Sequence, residues 1–149
     1  MTSLHPMTIP GFFNTSVEKY HQNVYLWENT GGGYQGITYV EVQTSVYQLA
    51  AGMIGLGIEK GDRIALLAES RNLWVISELA MLFAGAVNVP LSVRMNDPEE
   101  IRFRVTHSGA VAMVVSGSQL PRIREIRKDI PGLRWVIVLD DTEILMPHE

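Results

Sequence analysis

The sequence predicts an α/β fold: a doubly wound, mostly parallel sheet with flanking helices, carrying an N-terminal β-hairpin extension. Three observations predict it. From Arg63 onward, short apolar runs alternate with amphipathic stretches in the order strand, helix, strand, helix, strand, helix, strand. The connections are short, which indicates right-handed crossovers between parallel strands. The most apolar stretch, Leu73 to Val93, reads as one buried helix feeding one buried strand.

Within that stretch Leu73, Ile76, Ala80 and Phe83 form one apolar row at helical spacing, and Val75, Leu79, Leu82 and Ala86 form another. Only Trp74, Ser77, Glu78 and Met81 are left for any other face, so the helix is expected to be buried. Gly85 stops it, and Val87 to Leu91 follow as a strand covered on both faces. A bilayer span needs about 20 continuous apolar residues. Glu78, Gly85, Asn88 and Pro90 interrupt the run, so it is not read as a span.

In chain order, Thr15-x-x-Glu18 is a capping box that predicts a short helix from Ser16 to about His21. Val24 to Trp27 and Tyr34 to Thr38 read as strands, with Glu28 to Gly33 turning between them. Thr38-x-x-Glu41 is a second capping box. Its helix carries Val42, Val46, Leu49, Ala50 and Met53 on one face and ends at Gly55 and Gly57. Gly61-Asp62 turns into a strand from Ile64 to Ala68. Beyond the central stretch, Asp97-Pro98-Glu99-Glu100 opens a helix with Ile101, Phe103 and Val105 inward, closed by Ser108-Gly109. Val111 to Val115 is a buried strand. Ser118 is expected to cap a helix from Gln119 to about Lys128, with Leu120, Ile123, Ile126 and Ile130 inward. Pro131-Gly132 stops it, and Trp135 to Leu139 is the last strand.

A chain of 149 residues supports a sizeable core, and 46% apolar with 19% charged residues marks it as globular. A net charge of −4 argues against nucleic acid as a partner. There is no cysteine, which excludes disulfides and thiolate metal sites and suits a cytoplasmic protein. The opening MTSLHPMTIPGFF lacks the basic and apolar regions of a signal peptide.

Gly31-x-Gly33-x-x-Gly36 matches the dinucleotide-binding fingerprint, but a strand rather than a helix follows it, so a glycine hairpin is the expected reading. His5, His21, His107 and His148 are scattered without metal-ligand spacing, and no metal site is expected. His107 is read as compensating a helix dipole. Asp140, Asp141 and Glu143 are read as a solvated acidic loop. Arg122, Arg124, Arg127 and Lys128 make the single basic cluster, either a solvated helix face or an anion site. The residues by themselves lead to an α/β domain without a catalytic constellation.

Three stretches carry a resemblance. Ile37-Thr38-Tyr39-Val40-Glu41-Val42, Leu56-Gly57-Ile58-Glu59-Lys60-Gly61-Asp62-Arg63-Ile64-Ala65 and Leu82-Phe83-Ala84-Gly85-Ala86-Val87-Asn88-Val89-Pro90-Leu91 resemble, in order, the first core motif, the turn and strand after the first helix, and the second core motif of the adenylate-forming acyl-CoA synthetases. They occur in the family's order and spacing, over roughly Thr15 to Leu139, and look most like long-chain fatty acid–CoA ligases. The resemblance implies a two-step reaction: a fatty acid carboxylate attacks the α-phosphorus of ATP with Mg²⁺ assisting, and the CoA thiol then displaces AMP. The family's Ser/Thr/Gly-rich phosphate loop ending in Pro-Lys, its later Glu, Asp and Arg residues and its C-terminal Lys have no counterpart in these 149 residues.

The chain is therefore expected to be the N-terminal portion of the large domain: hairpin and helix to about 41, alternating core over 42–139, acidic tail over 140–149. By itself it is expected to be inactive, to hold no cofactor, and to self-associate through apolar surface meant for the rest of the domain. A cytoplasmic location is expected, with peripheral membrane association left open. In some family members an arginine pair after the strand equivalent to Val111–Val115 binds a CoA phosphate. Arg122 falls on the first position; Glu125 falls near the second, so Arg124 or Arg127 would have to substitute. The alternative is a freestanding Rossmann-like nucleotide-binding or protein-interaction module.

Overall fold

A computed structural model describes residues 7–140 and the backbone of a short strand, Ile144–Leu145. His5, His148, Asp141, Glu143 and most of the acidic tail lie outside the described residues. The chain divides into two compact units, one made of residues up to 58 with 71–84, the other of 59–70 with 85 onward.

The first unit holds α1 (Ile9–Tyr20), the antiparallel pair β1 (Val24–Asn29) and β2 (Tyr34–Thr38), α2 (Tyr39–Gly55) and α3 (Asn72–Phe83). Helix α1 begins about two turns before the expected start. Its cap is Thr8, whose Oγ1 accepts from Gly11 N at 3.1 Å, with Pro10 in the first turn where its missing N–H costs nothing. Thr15 and Ser16 lie inside the helix and donate back to Gly11 O (3.0 Å) and Phe12 O (2.9 Å). The Thr15/Glu18 box is thus a mid-helix coincidence of letters.

The hairpin reading of the glycine motif holds. Thr30 N donates to Gly33 O at 3.1 Å, Asn29 Oδ1 accepts from Gly31 N at 3.0 Å, and Gly36 pairs with Trp27 inside β2. The Thr38/Glu41 box also forms, with Glu41 Oε2 2.7 Å from Thr38 N and Glu41 N 3.4 Å from Thr38 Oγ1. Helix α2 packs on α3 and α1 packs on both, around Val17, Val42, Val46, Met53 and Ala80. Aromatic rings fill the rest: Tyr25 stacks on Tyr39 at 4.4 Å, and Phe13 meets Tyr25 at 5.7 Å and Phe83 at 6.1 Å. No residue of α3 is fully exposed. Ser77 and Met81, left over by the apolar rows, are completely buried, and the Ser77 hydroxyl is satisfied by Leu73 O at 2.6 Å.

The second unit is the sheet unit. It contains β3 (Arg63–Leu67), β4 (Val87–Pro90), α4 (Pro98–Ser108), β5 (Ala112–Val115), α5 (Leu120–Ile126), β6 (Trp135–Val138) and β7 (Ile144–Leu145). The strand order is β4-β3-β5-β6-β7. The first four strands are parallel, and β7, unforeseen in the tail, pairs antiparallel to β6. Alternate residues Ala65, Leu67, Met113, Val115, Val136 and Val138 face Ile101 and Val105 of α4 and Ile123 and Ile126 of α5 in one buried cluster. Ile64, Leu66, Ala112 and Val114 on the opposite face are fully buried too. The fold is the predicted α/β class, with a parallel four-stranded sheet, flanking helices and an N-terminal hairpin.

Three expectations need correction here. β4 is an edge strand, not one covered on both faces: Val87 is 48% exposed, and Pro90, which has no N–H for a further ladder, is tolerated at such an edge. Phe103 is 62% exposed and stacks on His107 one turn on, because Ile101 and Val105 already fill the inward stripe of α4. Ser118 does not cap α5, which is entered through a 3₁₀ turn, Gly117–Gln119, without a side-chain cap.

The start of α4 is as read, with Asp97 Oδ1 accepting from Glu99 N at 2.9 Å. Its far end is closed by the N–H groups of Gly109 and Ala110, on Thr106 O (3.0 Å) and Val105 O (3.2 Å), and also from outside the helix. The Arg63 guanidinium donates to Ser108 O, Gly109 O and Gly61 O, each at 3.1 Å, while Gly109 turns with φ +64°.

Candidate functional site

The chain runs from β3 to β4 on one side of β3 and then returns to β5 on the other. In open α/β sheets ligands bind outside the carboxyl ends of the strands at such a reversal. Here that place is built from Glu69, just after β3, from Ser116 to Gln119 after β5, and from Asp140 after β6. Glu69 Oε1 accepts from Ser118 Oγ and from Gln119 Nε2, both at 2.7 Å. Ser116 Oγ lies 3.1 Å from Ser118 Oγ, and Gly117 N donates to Asp140 Oδ2 at 2.7 Å. Ser116 and Gln119 are buried, so these polar groups are met inside the protein.

Burial pushes the Glu69 carboxyl up. Hydrogen bonds from Ser116, Ser118, Gln119 and its own backbone N–H outweigh that and hold it at about 2. A carboxylate with so low a pKa is a poor proton acceptor at neutral pH. Its chemistry is that of a fixed negative charge ordering the turn before α5.

The arginine cluster lies on that helix. Arg122 is half-buried: Nη1 donates to Met95 O, and Nη2 donates to Gln119 Oε1 and to Val93 O (3.5 Å). Arg124 and Lys128 are exposed, and Arg127 is half-buried. The three arginines do not converge on one point: Arg122 and Arg124 lie on α5, the first facing the segment after β4 and the second exposed, while Arg127 opens the 3₁₀ turn Arg127–Asp129 that follows. Sequence reasoning named these arginines and missed Glu69 and Gln119. An acidic residue directly after a buried strand is a visible signal, but its meaning depends on a strand order that periodicity does not give. Among the described residues no three His, Asp or Glu side chains gather to hold a metal ion.

A family model for the AMP-binding enzymes matches residues 13–149. The chain belongs to that family, as the three motif stretches implied. It is 33% identical over 97% of its length to the long-chain-fatty-acid–CoA ligase heimdall of Drosophila melanogaster, of which it spans 22%. Among solved structures it resembles the coronafacic acid ligase of Pectobacterium brasiliense, with a TM-score of 0.82 at 20% identity, covering 90% of this chain and 26% of that one. It also resembles a fatty acyl CoA synthetase of Mycobacterium tuberculosis, with a TM-score of 0.78 at 23% identity over 89% and 26% of the two chains. At those identities the structural likeness speaks for the fold alone.

Proposed function

We propose that this chain is the N-terminal part of the large domain of an ATP-dependent fatty acid–CoA ligase. The observation that carries the reading is the family match over nearly the whole chain, with a long-chain-fatty-acid–CoA ligase as relative. In the reaction, a fatty acid carboxylate oxygen bonds to the α-phosphorus of ATP and pyrophosphate leaves. The CoA sulfur then bonds to the acyl carbon and AMP leaves. Charge develops on phosphates and on an acyl oxygen, which fixed cations and N–H donors stabilise. The 149 residues contain no Ser/Thr/Gly-rich loop ending in Pro-Lys. The reading gives this stretch a structural share of the reaction and assigns it no part in holding Mg²⁺. ATP–pyrophosphate exchange with a panel of fatty acids should stay at background for the isolated chain and appear for the longer protein. Carboxylate-dependent exchange by the isolated chain would overturn the assignment. A longer reading frame without a phosphate loop would favour a nucleotide-binding or interaction module instead.

Within this reading Arg122, Arg124 and Arg127 form the cation set for a CoA phosphate. Arg122 would supply the first position, from a turn it also holds through Met95 O, Val93 O and Gln119, and Arg124 or Arg127 the second. A charge-assisted contact at a partly exposed site is worth about 1.5–3 kcal/mol. Arg124→Ala in the full-length protein should then raise the CoA requirement about 10-fold and leave adenylation unchanged. Equal small losses with CoA and dephospho-CoA would reduce the cluster to a solvated helix face. The reading also keeps the protein in the cytoplasm or at a membrane surface. Among the described residues no helix is long and apolar enough to cross a bilayer.

A further inference from the structure

We infer that Glu69, Gln119 and Arg122 act as one polar relay that holds the segment between β4 and α4, with Gln119 as the coupling residue. Gln119 is 7% exposed, and its amide stands between a carboxylate and a guanidinium. That pairing fixes which way the amide faces. Nε2 can only donate, and it meets the Glu69 carboxylate; Oε1 can only accept, and it meets Arg122 Nη2. A flipped amide would set donor against donor and acceptor against acceptor. The anchored carboxylate orients Gln119, and Gln119 orients the guanidinium. The other guanidinium contacts then fall on Met95 O and Val93 O.

The segment so held is tied to β3 at its start, where Leu91 N donates to Leu66 O at 2.8 Å, and beyond that by local bonds. Met95 N donates to Ser92 O at 3.1 Å and Arg94 N to Ser92 Oγ at 3.2 Å. Leu91, Val93 and Met95 are only partly buried against the core of the sheet unit. No hydrogen bond of Glu69 reaches that segment; its hydrogen-bond partners are Ser116, Ser118, Gln119 and its own N–H. An effect of Glu69 on Met95 must therefore travel through Gln119. The relay stands whether or not α5 meets a nucleotide.

The test is amide hydrogen exchange on the 149-residue protein, comparing Met95 with the β5 amides. Loss of a charge-assisted bond makes local opening about 10-fold more frequent. Glu69→Ala and Gln119→Leu should each speed Met95 exchange by about that factor, as Arg122→Ala does. The Glu69→Ala/Arg122→Ala double variant should add less than about 2-fold to either single change. Glu69→Gln keeps the shape and removes the charge, and it covers the case in which alanine opens the whole unit. It should speed Met95 about 3-fold with β5 unchanged. The relay is overturned if Met95 responds to Arg122→Ala alone, if the two single effects multiply in the double variant, or if Met95 and β5 accelerate together in Glu69→Gln.

Discussion

The two compact units differ in the side chains that fill them and in what they leave exposed. The sheet unit is aliphatic, with Ile64, Leu66, Leu67, Met113 and Val114 fully buried; among its described residues only Val87 and Phe103 are large, apolar and exposed. Its polar side chains reach across long stretches of sequence, as when Arg134 pairs with Asp62 at 2.9 Å. The hairpin unit is aromatic, and Ile9, Phe12, Trp27, Tyr34 and Ile54 are each more than half exposed. Several of its polar bonds are local caps and back-bonds, apart from Gln43 and Tyr47 reaching Asn14. In the sheet unit, α4 and α5 cover one face of the parallel sheet with aliphatic side chains from that unit. A two-stranded hairpin cannot bury its faces unaided. The lesson is that the unit rich in exposed aromatics, not the sheet, is where this chain invites a partner. Light scattering should show self-association that is weakened by Trp27→Ser and untouched by Phe103→Ser.

The largest effect that would sharpen this contrast is in the sheet core. Leu66→Ala should cost about 2–5 kcal/mol in chemical denaturation, whereas Trp27→Ala should cost less than about 1 kcal/mol because its ring is already in water. Equal losses would erase the distinction. Next comes the acid response of the sheet unit. The folded Glu69 carboxyl is held at about 2 against a reference of 4.5, so its contribution is present above the unfolded value and is lost as pH falls from about 4.5 towards 2. After screening by solvent this amounts to about 1–2 kcal/mol. Glu69→Gln should flatten that limb of the pH–stability curve, and an unchanged limb would mean the carboxylate is not held. The smallest effect tests the start of α1. Thr8→Ala should cost about 1 kcal/mol and Thr15→Ala about half of that or less, as read from helix signal and melting. The reverse order would restore the cap at Thr15.

What the sequence made legible followed from local chemistry. The Thr38/Glu41 box, the Asp97-Pro98 start, the stops at Gly85 and Gly109 and every strand of the parallel sheet were readable, because caps, glycines and short apolar runs report on their own neighbourhood. The failures share a cause. Thr15 carried the right letters without the right position, since a better cap stood upstream at Thr8. Val87 to Leu91 was apolar enough for a central strand, but strand order, which decides exposure, is not a local property. Glu69 and Gln119 lie 50 residues apart, and only the pairing of β3 with β5 brings them together. Resemblance supplied the family, and no arrangement of catalytic groups within these residues would have done so.

The Arg63 guanidinium at the end of α4 bears on how the chain acquires its structure. The last carbonyls of that helix are finished by a residue 45 and 46 positions upstream. A peptide spanning only Asp97 to Ala110 would carry its start signal and the Gly109 turn, with Ala110 N on Val105 O, but not the guanidinium that holds the last two carbonyls. The last turn of α4 should therefore be less stable in that peptide than in the protein, as helix signal would show. Position 109 is committed along with it: a Cβ there would stand 2.8 Å from Arg63 Nη2, on a backbone already turned to positive φ. A side chain at 109 would also have to displace the guanidinium that finishes the helix.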